Sequence, residues 1–393
     1  MQLAWFLAAR LLRRRGTSLL RTSALAALLA VALGAASLVV VLALMSGYTG
    51  ALRSGVLSAG GHLVALSPPG LSQGDVEATE ARVAAVPGVV TVGEVVYLPG
   101  MMFPRGGGQA ELVSLRAGSQ LPPFVRMPVT GPTGPLEVAV GRGVARRLAV
   151  ALGEVLILQV VAGGTPRAVA TRVGQVFSTG FAELDERFVV AELEELRRRV
   201  PSLAGGGLEI WLADPEKADA LRERVERACG RGAIVATWQE RNRNLFAALR
   251  WQKVSLGVVL SLVLGVGAFE VASALVVLVT EKRREFGVLL AIGGQPRLLR
   301  QTLLLAGGAL GAAGVLAGML LGVALVLLLG FLGVPHFPPD IASIYMVETI
   351  PLRLLPGDLA VVLALSLVEV LLASLLPAHR TSRREPVEVL RWV

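Results

Sequence analysis

The chain has 393 residues, 54% of them hydrophobic, and a formal charge of +9; its mean hydropathy is +0.66. That balance excludes an entirely water-soluble globule and fits a membrane protein carrying a substantial soluble part. The basic excess does not point to nucleic acid, because residues 53–253 are nearly balanced at 23 Lys/Arg against 20 Asp/Glu, with no basic groove of interleaved aromatics.

Residues 1–21, MQLAWFLAARLLRRRGTSLLR, carry five arginines and no acid. They predict a cytoplasmic amphipathic helix lying along the membrane, with Trp5 and Phe6 as interfacial anchors. Residues 22–46 are uncharged for 25 positions. That is long for the apolar part of a signal peptide and no clear cleavage site ends it, so it reads as a first transmembrane helix. Hydropathy then drops, and residues 47–253 read as an extracytoplasmic (periplasmic) α+β domain. Strand-like runs at 62–67, 88–98, 154–161, 167–178, 208–213 and 233–238 alternate with helices over Asp75–Ala85, Arg142–Leu152, Ala191–Arg199 and Pro215–Cys229. The Gly/Pro-rich stretch 100–135 predicts a division into two lobes.

A second apolar run, residues 254–280, holds a single charge, Glu270. About 20 apolar residues at ~1.5 Å each cover a ~30 Å hydrocarbon core, so this run is long enough to span. It breaks into EKRREFGVLLAIGGQPRLLR, residues 281–300, a short amphipathic helix with charge crowded into its first turn. Phe286, Val288, Leu289, Leu290 and Ile292 supply an apolar side, and Gly293, Gly294 and Pro296 stop the helix. Five Lys/Arg against two Glu place this loop in the cytoplasm. On physics alone it reads equally well as a topological anchor.

The third helix, residues 301–334, puts Gly307, Gly311, Gly314, Gly318 and Gly322 on one face. That face is either close packing within the chain or a mobile seam. An outer loop (335–357), a fourth helix (358–377) and a cytoplasmic tail (378–393) with Arg380, Arg383 and Arg384 complete the order. The expected fold class is therefore membrane α-helical, with four transmembrane helices and a large extracytoplasmic α+β domain inserted between helices one and two. Both termini are expected in the cytoplasm.

EKRREFGVLLAIGGQPRLL resembles the cytoplasmic coupling-helix motif of the MacB/FtsX superfamily of ABC-transporter permeases. TWQERNRNLFAALRWQKV, GAFEVASALVVLV and the closing PAHRTSRREPVEVLRWV are similar to the narrower LolC/LolE, lipoprotein-releasing branch, and the likeness extends along almost the whole chain. Glu270 departs from it, standing where that branch usually has Asn, and GGQP replaces a Gly-Ala-Ser turn. The turn in VVAGGTPRAV is short, so a full chaperone-capturing hook is not expected.

The resemblance implies a non-catalytic permease subunit of the bacterial inner membrane, working by mechanotransmission. Its implied partners are an ABC ATPase dimer, a second permease subunit (identical or homologous), a lipoprotein substrate, a periplasmic lipoprotein carrier and membrane lipid. No cofactor is expected on this chain; ATP and Mg belong to the ATPase. By the same resemblance Glu281, Lys282, Arg283, Arg284, Glu285, Phe286 and Leu289 form the ATPase coupling site. Phe286 and Leu289 are its expected apolar contacts, and Glu281, Arg283 and Arg284 its polar anchors. Val41, Met45, Val258 and Leu262 are expected to line a cleft for acyl chains, although lipid-facing or packing residues would show the same pattern. Two other members of the superfamily stay open: a MacB-like exporter of another envelope substrate, and an FtsX-like mechanotransmitter controlling a cell-wall hydrolase. The latter type normally has a much smaller outer domain.

The residues themselves offer little chemistry. Only three lysines exist, Lys217, Lys253 and Lys282, and none follows glycine, so no P-loop is legible. His62, His336 and His379 are far apart, and the one cysteine, Cys229, allows no intrachain disulfide. GLSQG at 70–74 matches G-x-S-x-G but follows Pro68-Pro69 in a loop, not a strand-to-helix elbow. Glu270 and Glu369 fall inside apolar runs, where an ionised carboxylate costs on the order of 3 kcal/mol. Each should face protein or water, or be protonated. They read either as a polar switch or proton site, or as hydrogen-bonding groups that hold helices together.

Overall fold

The computed structural model describes residues 5–7, 18–66, 73–127, 134–203, 206–230, 232–332, 349 and 351–382. Most of the expected N-terminal amphipathic helix, residues 70–72 of GLSQG, most of the outer loop with His336, and the tail beyond 382 lie outside the described residues. The chain divides into two compact units, one of long helices and one formed mainly by residues 48–247.

The helical unit is built on α1 (Ser18–Ala59), α8 (Arg243–Glu281), α10 (Pro296–Leu332) and α11 (Pro356–Ser382). All four contain a stretch long and apolar enough to cross a membrane. Two of them, α1 at 42 residues and α8 at 39, are about twice the ~20 residues that a span needs. Small residues let these helices meet backbone to backbone. A Cβ on Gly267 of α8 would sit 2.9 Å from the Ala30 backbone of α1, and one on Gly34 of α1 would sit 2.9 Å from the Leu264 side chain.

The glycine face of α10 is used twice. Gly314, Gly318 and Gly322 lie against Val31, Ala32 and Ala36–Val39 of α1, while Gly307 and Gly311 lie against Ser374 and Val370 of α11. Of the two sequence readings, packing within the chain is the one the structure shows. Val31, Ala35, Leu38, Leu264, Ala268, Val271, Val315 and Val370 fill the core between these helices.

The second unit is α+β. Its strands are β1 (Leu63–Leu66), β2 (Val89–Pro104), β3 (Glu111–Gly118), β4 (Leu136–Gly141), β5 (Val155–Ala162), β6 (Thr165–Phe177), β7 (Phe188–Glu192), β8 (Gly207–Leu212) and β9 (Ile234–Thr237). They form one sheet in the order β3-β7-β4-β6-β5-β2-β8-β1-β9, and β2 also pairs with β3. Six strands thus close a barrel, β2-β3-β7-β4-β6-β5, and closure removes edges that would otherwise invite pairing with other chains. Beyond the barrel, the first half of β2 continues into β8, β1 and β9, covered by α2 (Gln73–Ala84) and α6 (Ala218–Cys229).

Each half has its own core. Met102, Leu115, Val138, Leu158, Val189 and Leu196 belong to the barrel, and Leu63, Val83, Ile210, Val225 and Trp238 to the other half. The expected division at 100–135 is therefore a misplacement. The barrel core is an insertion, running from about Val96 to Leu203 within a half made by the residues on either side. Gly100 and Pro104 looked like linker residues but belong to β2. A Cβ on Gly100 would lie 3.1 Å from the Gln159 carbonyl oxygen, and Pro104 ends the strand. The helix expected over Arg142–Leu152 stops at Leu148, as α3 (Arg142–Leu148), because Ala149 turns left-handed (φ 52°).

Where the two cores meet, β3 carries Arg116 and β8 carries Glu209, 1% and 0% exposed. Their guanidinium and carboxylate are 2.5 Å apart, the Tyr97 hydroxyl of β2 donates to the other carboxylate oxygen, and Arg116 also donates to the Gln120 carbonyl. Burial, ahead of the neighbouring Glu209 charge, pushes the Tyr97 phenol well above its ordinary range. Removing one member of a buried pair strands the other charge, so Arg116→Met is expected to cost about 3–5 kcal/mol. Denaturant midpoints followed by tryptophan fluorescence test this, with Arg116→Met/Glu209→Leu recovering most of the loss.

His62 lies at the start of β1. Its Nδ1 accepts the Leu212 N–H at 2.9 Å, which requires the neutral ring, and burial lowers its pKa below 6.5. The contribution to stability is complete above pH 6.5, the unfolded value, and is lost as pH falls through the folded value. Exchange of the Leu212 amide, corrected for its chemical rate, should accelerate on acidification in the parent and show no such dependence in His62→Gln.

Candidate functional site

At Glu281 the helix α8 ends, Lys282 adopts a turn conformation (φ −96°, ψ 13°), and α9 (Arg283–Ala291) begins. The Lys282 N–H still bonds the Leu278 carbonyl, and the Phe286 N–H bonds the Lys282 carbonyl, each at 3.0 Å. Two backbone hydrogen bonds thus carry the chain across the α8–α9 junction. Gly293 (φ +94°) then donates to the Leu290 carbonyl and Gly294 to that of Leu289, at 3.1 and 2.9 Å. These bonds satisfy carbonyls at the end of α9 as a C-terminal cap does, and Pro296 opens α10.

Phe286, expected to meet the ATPase, is 8% exposed and packs with Leu275, Leu278, Leu299, Leu303, Ala306 and Ala378 of its own chain. Leu289 and Leu290 are half-buried and Gly287 is buried. The outward side of α9 is instead Arg284, Glu285, Val288, Ala291 and Ile292. Val288 and Ile292, one turn apart, are 53% and 77% exposed.

The physical reason is helical periodicity. At about 100° per residue, positions 286 and 288 lie ~200° apart and cannot share one apolar side. The signal was present, because 286, 289 and 290 cluster on one face while 284, 288 and 292 cluster on the other. Among the charged candidates, Lys282 pairs with Glu285 at 2.8 Å. Glu281, Lys282 and Arg283 are half-buried, and Arg284 and Glu285 are exposed.

The two intramembrane acids occupy different environments. Glu369 in α11 is half-buried and hydrogen-bonded to the Ser261 side chain of α8, but its Oε2 is buried without a partner. Glu270 is exposed on α8. Of the four cleft candidates, Val258 and Leu262 are 55% and 68% exposed, in a strip continued by Val266, Phe269 and Val276. Val41 and Met45 are half-buried on α1. Among the described residues, no group of three or more His, Cys, Asp or Glu is placed to hold a metal.

Residues 24–228 match a family model described as a MacB-like periplasmic core domain, and residues 257–386 one described as FtsX-like permease C-terminal. The chain is 27% identical over 400 residues to the lipoprotein-releasing system transmembrane protein LolC of Xylella fastidiosa strain 9a5c, covering 94% of this chain and 93% of that one. It is 29% identical over 277 residues to LolC of Neisseria meningitidis serogroup B, covering 66% of each. The solved periplasmic region of MacB from Actinobacillus actinomycetemcomitans overlies 47% of this chain and 91% of its own length, at 10% identity and a TM-score of 0.31, a likeness too slight to bear on any residue. With the first family model alone covering just over half of the sequence, this chain belongs to the FtsX-like permeases that carry a MacB-like periplasmic core domain.

Proposed function

We propose that this permease is the membrane subunit of an ATP-driven complex that takes lipoproteins from the outer leaflet of the inner membrane and passes them towards the outer membrane. The observation that carries the coupling part of this reading is α9. One side of it is fixed to the bundle by Phe286, and the other presents Val288 and Ile292 between Arg284 and Glu285. An apolar pair held open on a rigidly anchored helix, beside charges of both signs, is suited to a groove on another protein.

In this reading ATP and Mg are bound by a separate ATPase dimer, whose closure displaces α9. The displacement passes into α8, which precedes α9 with only a one-residue turn between them, and into α1, which packs on α8 through Gly34 and Gly267. Rigid-body movement of such elements is an ordinary way to carry force. The exposed strip of α8 that includes Val258 and Leu262 would contact the acyl chains, opposite a second permease subunit. The naming of LolC relatives supports lipoprotein as the cargo. The basic residues of 281–300 favour placing α9, and with it both termini, in the cytoplasm.

Purification from native membranes in mild detergent, followed by mass spectrometry, tests the whole reading. Recovery of a P-loop ATPase together with lipid-modified proteins is the expected result. An ATPase with a peptidoglycan hydrolase and no lipid-modified cargo would replace it with a mechanotransmitter, and an ATPase with another envelope substrate would replace it with an exporter. Absence of any ATPase, under conditions that preserve complexes, would remove the docking role of α9.

A further inference from the structure

Toward the parts of α1, α8 and α11 that lie away from α9, one polar cluster ties three helices together. Lys253 of α8 places its Nζ 2.7 Å from Asp358 Oδ1 of α11 and 2.8 Å from Ser46 Oγ of α1. The Ser46 hydroxyl in turn donates to Asp358 Oδ2 at 2.5 Å. Every pair of the three helices is thus bridged by one bond. Ser46 is 7% exposed, and the Asp358 and Lys253 side chains 18% and 31%, so the cluster is largely withdrawn from solvent.

Its surroundings are equally close-fitting. The Arg353 N–H donates to the Ala43 carbonyl at 3.0 Å, and Gly47 abuts the Pro351 carbonyl so tightly that no Cβ fits there. Asp358 also sits in the first turn of α11, where a carboxylate is favoured by the helix dipole. Hydrogen bonds to ionised groups are stronger than neutral ones, and stronger again where water is scarce. Apolar contact alone would hold these helices without fixing their register.

We infer that Ser46, Lys253 and Asp358 form a positioning clamp that makes these parts of α1, α8 and α11 move as one body. Force entering at α9 then reaches them intact instead of being lost as a separation of helices. The transmission part rests on the docking role proposed above for α9; the clamp itself rests on the geometry alone.

The test uses the full chain with Cys229→Ser and nitroxide labels at the exposed Gln252 and Ala360, reconstituted in phosphatidylethanolamine–phosphatidylglycerol nanodiscs. The label separation is measured by electron paramagnetic resonance in the parent, Lys253→Met, Asp358→Asn, and the exchanged pair Lys253→Asp/Asp358→Lys. A narrow distribution in the parent, broadened by several ångström in each single variant and narrowed again in the exchanged pair, is expected. Ser46→Ala, which removes only a hydroxyl, should broaden it to a smaller extent and covers the case in which a charge variant does not fold. Single and Ser46→Ala variants that keep the parent distribution overturn the clamp. In complexes purified with their ATPase, the single variants should also release at least about fivefold less lipoprotein per ATP hydrolysed, within the usual range of coupling between sites. A broadened distribution in the single variants of a permease whose parent releases no lipoprotein would keep the clamp and reject the proposed cargo.

Discussion

Val288→Glu combined with Ile292→Glu is expected to abolish recovery of the ATPase with the permease while leaving the permease folded. Both side chains are more than half exposed on α9 and touch none of the buried cores. In the free chain, substitutions at such positions usually change stability by no more than about 0.5 kcal/mol. At a docked surface the same residues would be central apolar contacts, and burying two carboxylates there would cost well over the ~2 kcal/mol that defines a hot spot. The loss of affinity should therefore exceed about 30-fold at 1.4 kcal/mol per factor of ten. Phe286→Ala makes the opposite prediction. It empties a site in the core shared by α8, α10 and α11, with an expected loss of about 3–5 kcal/mol in stability. Thermal midpoints and pull-down yields, measured on both variants, separate the two roles. If the double glutamate variant retains its ATPase, the outward face of α9 is not the docking surface.

The second large effect is expected at Gly318. A Cβ there would collide with the backbone of Ala32, where α1 and α10 run closest, and backbone cannot rotate aside as a side chain can. Overpacking of this kind typically costs about 1–3 kcal/mol, and more where the obstacle is rigid. Gly318→Val should give the lowest thermal midpoint of any single valine on the glycine face. Gly330→Val, on the same helix, supplies the control, because nothing lies within 4 Å of the place its β-carbon would take. Equal midpoints for the two variants would contradict the close approach of α1 and α10.

Much of this architecture was legible because its signals are local. Four apolar runs gave the four helices, and the Gly-Gly-Gln-Pro break gave the end of α9. Six alternating runs gave six of the strands. Strands β3, β4 and β7 were missed. In β4 and β7 the residues are buried on both faces, so alternation is weak, and these strands pair in parallel with β6 and β3 across long sequence distances. Closure of the barrel depends on the same distant pairings and leaves no local mark. The coupling segment is legible in its charges and turn, whereas the inward packing of Phe286 is hidden if the five apolar residues of 286–292 are read as one face. The clamp was invisible for a different reason: Ser46, Lys253 and Asp358 are ordinary residues, each on a separate helix, and only the fold brings them together.

The position of β1 also has a consequence for how the protein is made. Among the described residues its partners are β8 and β9, which begin at Gly207 and Ile234. A chain made from its N-terminus therefore delivers β1 long before these two partners. The barrel residues between them can assemble while β1 waits, exposed, beside the newly inserted α1. Such non-local closure is slow. The last strand in the chain, β9, lies just before α8, so this half cannot be completed until synthesis has reached that helix. Completion of the sheet and emergence of the second long helix are therefore close in the order of synthesis.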